Sequence, residues 1–89
     1  MVKKVAVLVR DRQHEALRMS VGLTLEDNAV SVFVMDRKLP SDANIDLSVA
    51  TLGDMGAKIF SNNPENKFEQ MTTEEIAHAL TEYDVVIPY

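Results

Sequence analysis

The chain of 89 residues contains no cysteine and no tryptophan. Without cysteine there is no disulfide, no thiolate nucleophile, no iron–sulfur cluster and no cysteine-based zinc site. The three glycines, at 22, 53 and 56, form no group, so a phosphate-cradling loop and a dinucleotide fingerprint are both absent. No Gly-x-Ser-x-Gly is present, and Ser20 and Ser61 therefore lack the setting of a hydrolase nucleophile. No apolar run approaches the roughly 18 residues that a membrane span needs. The opening Met1-Val2-Lys3-Lys4 leads into only Val5 to Val9 before Arg10, too short for a signal-peptide core, so the expectation is a cytoplasmic protein. Basic residues are also few. Nine Lys and Arg stand against fourteen Asp and Glu, a net charge of −5 that argues against a nucleic-acid binder.

What is present is a soluble globular composition, 46% hydrophobic and 26% charged, which excludes a disordered tail. The length allows one domain, spanning 1–89. A domain of this size buries little more than about 60% of its unfolded surface, and small domains without staples gain stability by oligomerising. Charge is unevenly spread. Residues 1–45 hold seven basic and six acidic residues, net +1, whereas residues 46–89 hold two and eight, net −6. The simplest meaning is a solvated acidic surface, and the sharper one is steering of self-assembly or of a protein partner.

Lys3 to Val9 is a continuous β-branched run, suited to a strand buried on both faces. Residues 13–26 show helical spacing, with Ala16, Met19 and Leu23 in one stripe and Leu17, Val21 and Leu25 beside it. Asp11 is the expected N-cap and Glu26-Asp27-Asn28 the end. Gly22 within this helix calls for a close approach of another element. Val30 to Val34 is the second strand. Ile45 to Met55 is a helix with rows at 45, 49, 52, 55 and at 47, 50, closed by Gly56 in a left-handed cap. Lys58 to Phe60 is a third strand, and Ser61 to Gln70 reads as a polar loop. Thr72-x-x-Glu75 has the form of a capping box, with Ile76, Ala77, Leu80 and Tyr83 as the apolar face that follows. Asp84 to Ile87 is the last strand. The order β-α-β-α-β-α-β predicts a three-layer α/β/α domain with a four-stranded parallel sheet, flavodoxin-like, in strand order 2-1-3-4. The last strand then lies at an edge that an oligomer would cover.

In such a sheet, ligands bind beyond the carboxyl ends of the strands. Those ends carry Arg10, Asp11, Arg12, His14, Asp36, Arg37, Ser61, Asn62 and Asn63, which form the candidate ligand-binding set. The arginines are of the type that clamps an anion, unless they pair with Asp11 and Asp36. His14, in the first turn of its helix, is a candidate acid or base, or a surface histidine. His78 has Glu74 and Glu82 four residues to either side, a spacing for helix-surface ion pairs; a metal site would need more ligands nearby. Glu74 and Glu75 suit a helix start rather than a glycosidase pair. Met35 and Met71 suit core filling, with a pocket lining as the alternative. No catalytic residue, metal site or cofactor is assigned.

Four stretches together resemble the DsrE/DsrF-like family of small sulfur-relay and related proteins. They are the first strand with Glu15-Ala16-Leu17-Arg18-Met19-Ser20-Val21-Gly22-Leu23, then Val30 to Asp36, then Leu52 to Ser61, and finally Thr73 to Ala77 running on to Asp84-Val85-Val86-Ile87-Pro88-Tyr89. The resemblance implies a parallel α/β sandwich that assembles into trimers or hexamers. For active members it also implies a persulfide-carrying cysteine in a loop that corresponds here to Phe60-Ser61-Asn62-Asn63. Neither serine nor asparagine holds a sulfane sulfur, so the fold and assembly carry over and the sulfur chemistry does not. The expectation is a non-catalytic oligomeric binding or accessory module, with no nucleic acid and no membrane among its partners. The alternative is a small-ligand or anion-binding enzyme that uses the strand-end cluster. A receiver-type signalling module is weaker, since Asp11 and Asp36 are the only aspartates at the strand ends.

Overall fold

Six residues, Lys4–Val9, form β1, and their side chains alternate between two buried faces. Val5, Val7 and Val9 point to one side and Ala6 to the other, none more than 3% exposed, which is why the run reads as continuous rather than alternating. β2 (Ala29–Val34) is buried in the same way from Val30 onward. The computed structural model describes residues 3–26, 28–40 and 42–89; Asp27 of the helix-ending cluster, Ser41 of the loop and Met1 lie outside the described residues. The remaining elements are α1 (Gln13–Leu25), α2 (Ala43–Asp54), β3 (Lys58–Ser61), β4 (Glu69–Gln70), α3 (Thr73–Leu80) and β5 (Val85–Pro88).

The domain is α/β with a parallel sheet, as the alternation predicts, but the sheet has five strands rather than four. The additional strand, β4, is the two-residue pair Glu69–Gln70 inside the segment expected to be loop, and it pairs with Phe60 and Ser61 of β3. The strand order is β4-β3-β2-β1-β5, not 2-1-3-4. β1 has β2 on one side and β5 on the other, and β3 continues outward from β2. Chain direction explains the helix positions. The connections β1 to β2 and β2 to β3 step the same way, so right-handed crossovers put α1 and α2 on one face. The return to β5 steps the opposite way and puts α3 on the other face.

The core follows this division. Val5, Val7, Val9, Val30, Val32 and Val34 pack with Ala16 and Leu17 of α1 and with Ile45 and Leu52 of α2. On the opposite face Ala6, Phe33 and Met35 pack with Ile76 of α3. There the Phe33 ring stacks on Phe60, with centroids 5.2 Å apart, and meets Tyr83 edge-on. Met35 is a core residue, 4% exposed, and Met71 packs at the margin of the same cluster.

Helix ends show where local chemistry is strong. α3 opens with the expected capping box. The Thr72 hydroxyl accepts from the Glu75 N–H at 3.1 Å, and the Glu75 carboxylate accepts from the Thr72 N–H at 2.9 Å. α2 ends in the left-handed cap at Gly56, φ 82°, with Gly56 N–H donating to Gly53 and Ala57 N–H to Leu52. Three expectations need correction. Asp11 does not cap α1; the cap residue is Arg12, which makes no side-chain capping bond, because the Asp11 carboxylate is drawn to Arg37. Leu25 and Leu47 are 72% and 67% exposed, so the second row of α1, buried at Leu17, runs out of sheet at its last residue, and the second row of α2 faces outward. Gly22 has no heavy atom within 4 Å of where a Cβ would stand, so close approach does not explain it.

Candidate functional site at the carboxyl edge of the sheet

The loops after β1, β2 and β3 meet at one edge, which brings together Arg10, Asp11, Asp36, Arg37, Asn62 and Asn63 of the predicted set. β1 and β2 are neighbours, so the loop Arg10–Arg12 lies against the loop Asp36–Arg37. Two ion pairs cross between them. Arg37 Nη2 stands 3.0 Å from Asp11 Oδ1, and Arg10 Nε stands 3.9 Å from Asp36 Oδ2. Two of the three arginines expected as an anion clamp are therefore each held by a carboxylate. The third, Arg12, lies at 4.0 Å from Glu15 of its own helix, with both side chains largely exposed.

Asp36 takes the left-handed backbone conformation, φ 66°, which Asp tolerates better than most residues. Asparagines hold it there. The Asn62 Oδ1 accepts from the Asp36 N–H at 2.6 Å, the Asn62 Nδ2 donates to the Asp36 carboxylate at 3.0 Å, and the Asn63 Nδ2 donates to the Asp36 carbonyl at 3.1 Å. Asn62 also donates to the Thr73 hydroxyl, which ties the loop to the start of α3.

Beneath this surface lies a buried polar lock whose Asn66 and Gln70 the sequence reading missed, and which takes Ser61 out of the exposed ligand-binding set expected for it. Ser61 is fully buried, and its hydroxyl donates to the Val34 carbonyl at 2.9 Å. Asn66, 5% exposed, donates to Ser61 Oγ and to the Arg37 carbonyl, and accepts from the Leu39 N–H at 2.8 Å. Gln70 in turn donates to the Asn66 carbonyl. Three asparagines and a proline within Asn62 to Asn66 were the available signal, since short amides satisfy loop backbone that no ladder reaches.

His14 stands apart from the arginine–aspartate pairs. Its Nε2 is 3.3 Å from Oδ2 of Asp42, the N-cap of α2, whose Oδ1 accepts from the N–H groups of Asn44 and Ile45. The Asn44 N–H, then the imidazole, hold the Asp42 carboxyl below its ordinary value. Asp42 was not singled out from the sequence, although an aspartate just ahead of an apolar-periodic stretch is a cap signal. No hydroxyl is hydrogen-bonded to His14 among the described residues, and its partner is the Asp42 carboxylate. His78 lines a shallow depression on α3 with Glu74 and Glu82, but no ion pair forms at it among the described residues. Among the described residues no group of three or more His, Asp or Glu side chains is arranged to hold a metal ion, and no helix is long and apolar enough to cross a membrane.

Chemically, the edge is a set of complementary charges and amides that satisfy one another and join three loops. Comparison of the chain with protein-family models, with curated proteins and with solved structures finds no match.

Proposed function

We propose that this chain is a non-catalytic, homo-oligomeric binding or accessory module of the DsrE-like kind, acting in the cytoplasm without persulfide transfer. The observation that carries the reading is the pairing at the carboxyl edge. Arg37 engages Asp11, Arg10 engages Asp36, and Asn62 and Asn63 engage Asp36, so the polar groups hold loops together instead of presenting an acid, a base and a nucleophile. The absence of cysteine supports the same conclusion from the chemistry, because no side chain here carries sulfane sulfur. The parallel α/β order of elements agrees with the resemblance in pattern.

Native mass spectrometry of the untagged protein, combined with a persulfide-transfer assay, tests this reading. An oligomer without turnover is the expected result. A bare monomer overturns the assembly, and turnover above a protein-free control overturns the non-catalytic assignment. A second reading, a small-anion site, is favoured by one observation: α1 begins beside Arg12 with no side-chain cap on its first N–H groups. Under that reading Arg12→Ala weakens binding of inorganic phosphate measured by calorimetry, and no change in that variant removes it.

A further inference from the structure

We propose that β5 is the self-association strand, and that a second copy of this chain pairs with it antiparallel about a two-fold axis at Val86. The inference rests on the oligomeric reading above and names the surface responsible.

The two edges of the sheet are built differently. β4, at one edge, is two residues long and polar, Glu69–Gln70, the form in which proteins blunt an edge against pairing. β5, at the other, is Val85–Pro88, with no charge, and it leaves Val85 37% and Val86 40% exposed. Strands of a parallel sheet are normally covered on both faces. Here α3 packs on Phe33, Met35 and Ala6, and Val86 lies beyond that cluster. On the opposite face Val85 and Ile87 line an open cleft of about 370 Å3 with Val5 and Leu23, rimmed by Lys3, Glu26 and Asn28. β5 is thus an apolar edge that is thinly covered on both sides.

The backbone sets the register. Tyr89 N–H donates inward to the Leu8 carbonyl, and over the ladder from Val85 to Pro88 the alternation turns the polar groups of Val86 outward and leaves proline at 88, where an outward N–H would stand; the alternation ends at Asp84, whose N–H also donates inward, to Lys4. An antiparallel partner centred on Val86 exchanges both Val86 hydrogen bonds with its own copy. It sets Val85 opposite Ile87 of the second copy and Asp84 opposite Pro88, and no like charges meet. Pro88 ends the ladder at once, which suits a closed pair rather than a growing fibre. The same axis carries the acidic turn of Glu82 and Asp84, where one Asp84 oxygen already accepts from the Lys4 N–H, toward the second copy's loop of Arg10 and Arg12, whose contacts to Asp36 and Glu15 are long, 3.9 and 4.0 Å, and exposed. That is the complementarity expected of a chain with a net +1 over residues 1–45 and −6 over residues 46–89.

The absence of cysteine makes the test unambiguous. In Val86→Cys the single thiol lies on the proposed axis, where Cα atoms of a hydrogen-bonded antiparallel pair are about 5.5 Å apart, within disulfide reach. Leu47→Cys, at an exposed leucine on α2, is the control. Mild oxidation is expected to convert Val86→Cys to a linked dimer at least tenfold faster than Leu47→Cys. Native mass spectrometry of the wild type is expected to show an even subunit number. Val86→Lys, with unchanged far-ultraviolet circular dichroism, is expected to dissociate at least tenfold more readily. A wild-type oligomer whose Val86→Cys variant links no faster than the control overturns the β5 pairing and leaves the oligomeric reading standing, and a trimer does the same. A wild-type monomer overturns both.

Discussion

At the scale of single residues, Asn66 and Asp42 matter most. Asn66 is nearly buried and bonds Leu39, Arg37 and Ser61 at once. Replacing it by alanine leaves the Leu39 N–H and the Arg37 carbonyl without partners in a place water reaches poorly. Asn66→Ala is expected to cost about 2–3 kcal/mol, read as a lower urea midpoint at unchanged slope. For a chain of this length the total is only about 4–13 kcal/mol, so the loss is easily measured. Asp42 acts through charge as well as geometry. Its carboxyl is held below the ordinary value by the Asn44 N–H and by His14. A carboxyl with a lower value in the folded chain than in the unfolded one stabilises fully above the unfolded value, about 3.9, and that contribution is lost as pH falls through the depressed folded value. Asparagine caps a helix as well as aspartate does. Asp42→Asn should therefore be less stable than the wild type near neutral pH, and the gap should close as urea midpoints are followed below about pH 3.9. A gap unchanged down to pH 2.5 would assign the loss to cap geometry instead.

At the scale of elements, two glycines, one closing a helix and one inside a helix, are expected to behave oppositely. Gly56 closes α2 at φ 82°, in the region where a Cβ meets the following carbonyl, so Gly56→Ala is expected to lower stability by about 1–2 kcal/mol. Gly22 sits inside α1 with open space around it, and Gly22→Ala is expected to raise stability by about 0.5–1 kcal/mol. Thermal midpoints of the two variants should move in opposite directions. The contrast marks what could be read in advance. The cap at Gly56 and the box at Thr72 and Glu75 are local, and sequence spacing alone reveals them. The environment of Gly22 depends on what packs nearby, which spacing does not contain. β4 escaped notice because Glu69–Gln70 has no apolar side chain and owes its pairing to the Ser61–Asn66–Gln70 hydrogen bonds. The strand order was illegible for another reason. Crossover handedness decides which face a helix takes and leaves the neighbour of each strand open. The strand-end residues were legible as a polar set, because the apolar strand segments give way abruptly to polar residues at Arg10, at Asp36 and from Ser61. Pairing of the loop arginines with Asp11 and Asp36 was legible as one of two alternatives; which arginine meets which carboxylate was not, since Arg37 meets Asp11 only once β1 and β2 are adjacent.

At the scale of the whole molecule, stability and assembly become one quantity if β5 pairs with a second copy. The chain buries a valine-rich core against α1 and α2, but its other face carries a single helix. A domain so small has little reserve, and covering Val85 and Val86 removes apolar surface from water that the monomer leaves wet. Association binds the folded chain and not the unfolded one, so it shifts the folding equilibrium by mass action. For a dimer, each tenfold rise in protein concentration is worth about 1.4 kcal/mol per pair, or about 0.7 kcal/mol per chain. In a domain of this size that corresponds to a thermal midpoint about 3–5 °C higher for every tenfold rise above the dissociation constant. Val86→Lys places a charge on the edge strand and should abolish this dependence, with a midpoint that is flat across the same concentrations. A wild-type midpoint equally flat from 1 to 100 µM (on the order of two decades) would mean that the folded monomer stands without its partner, and that the exposed valines of β5 add nothing to stability in that range.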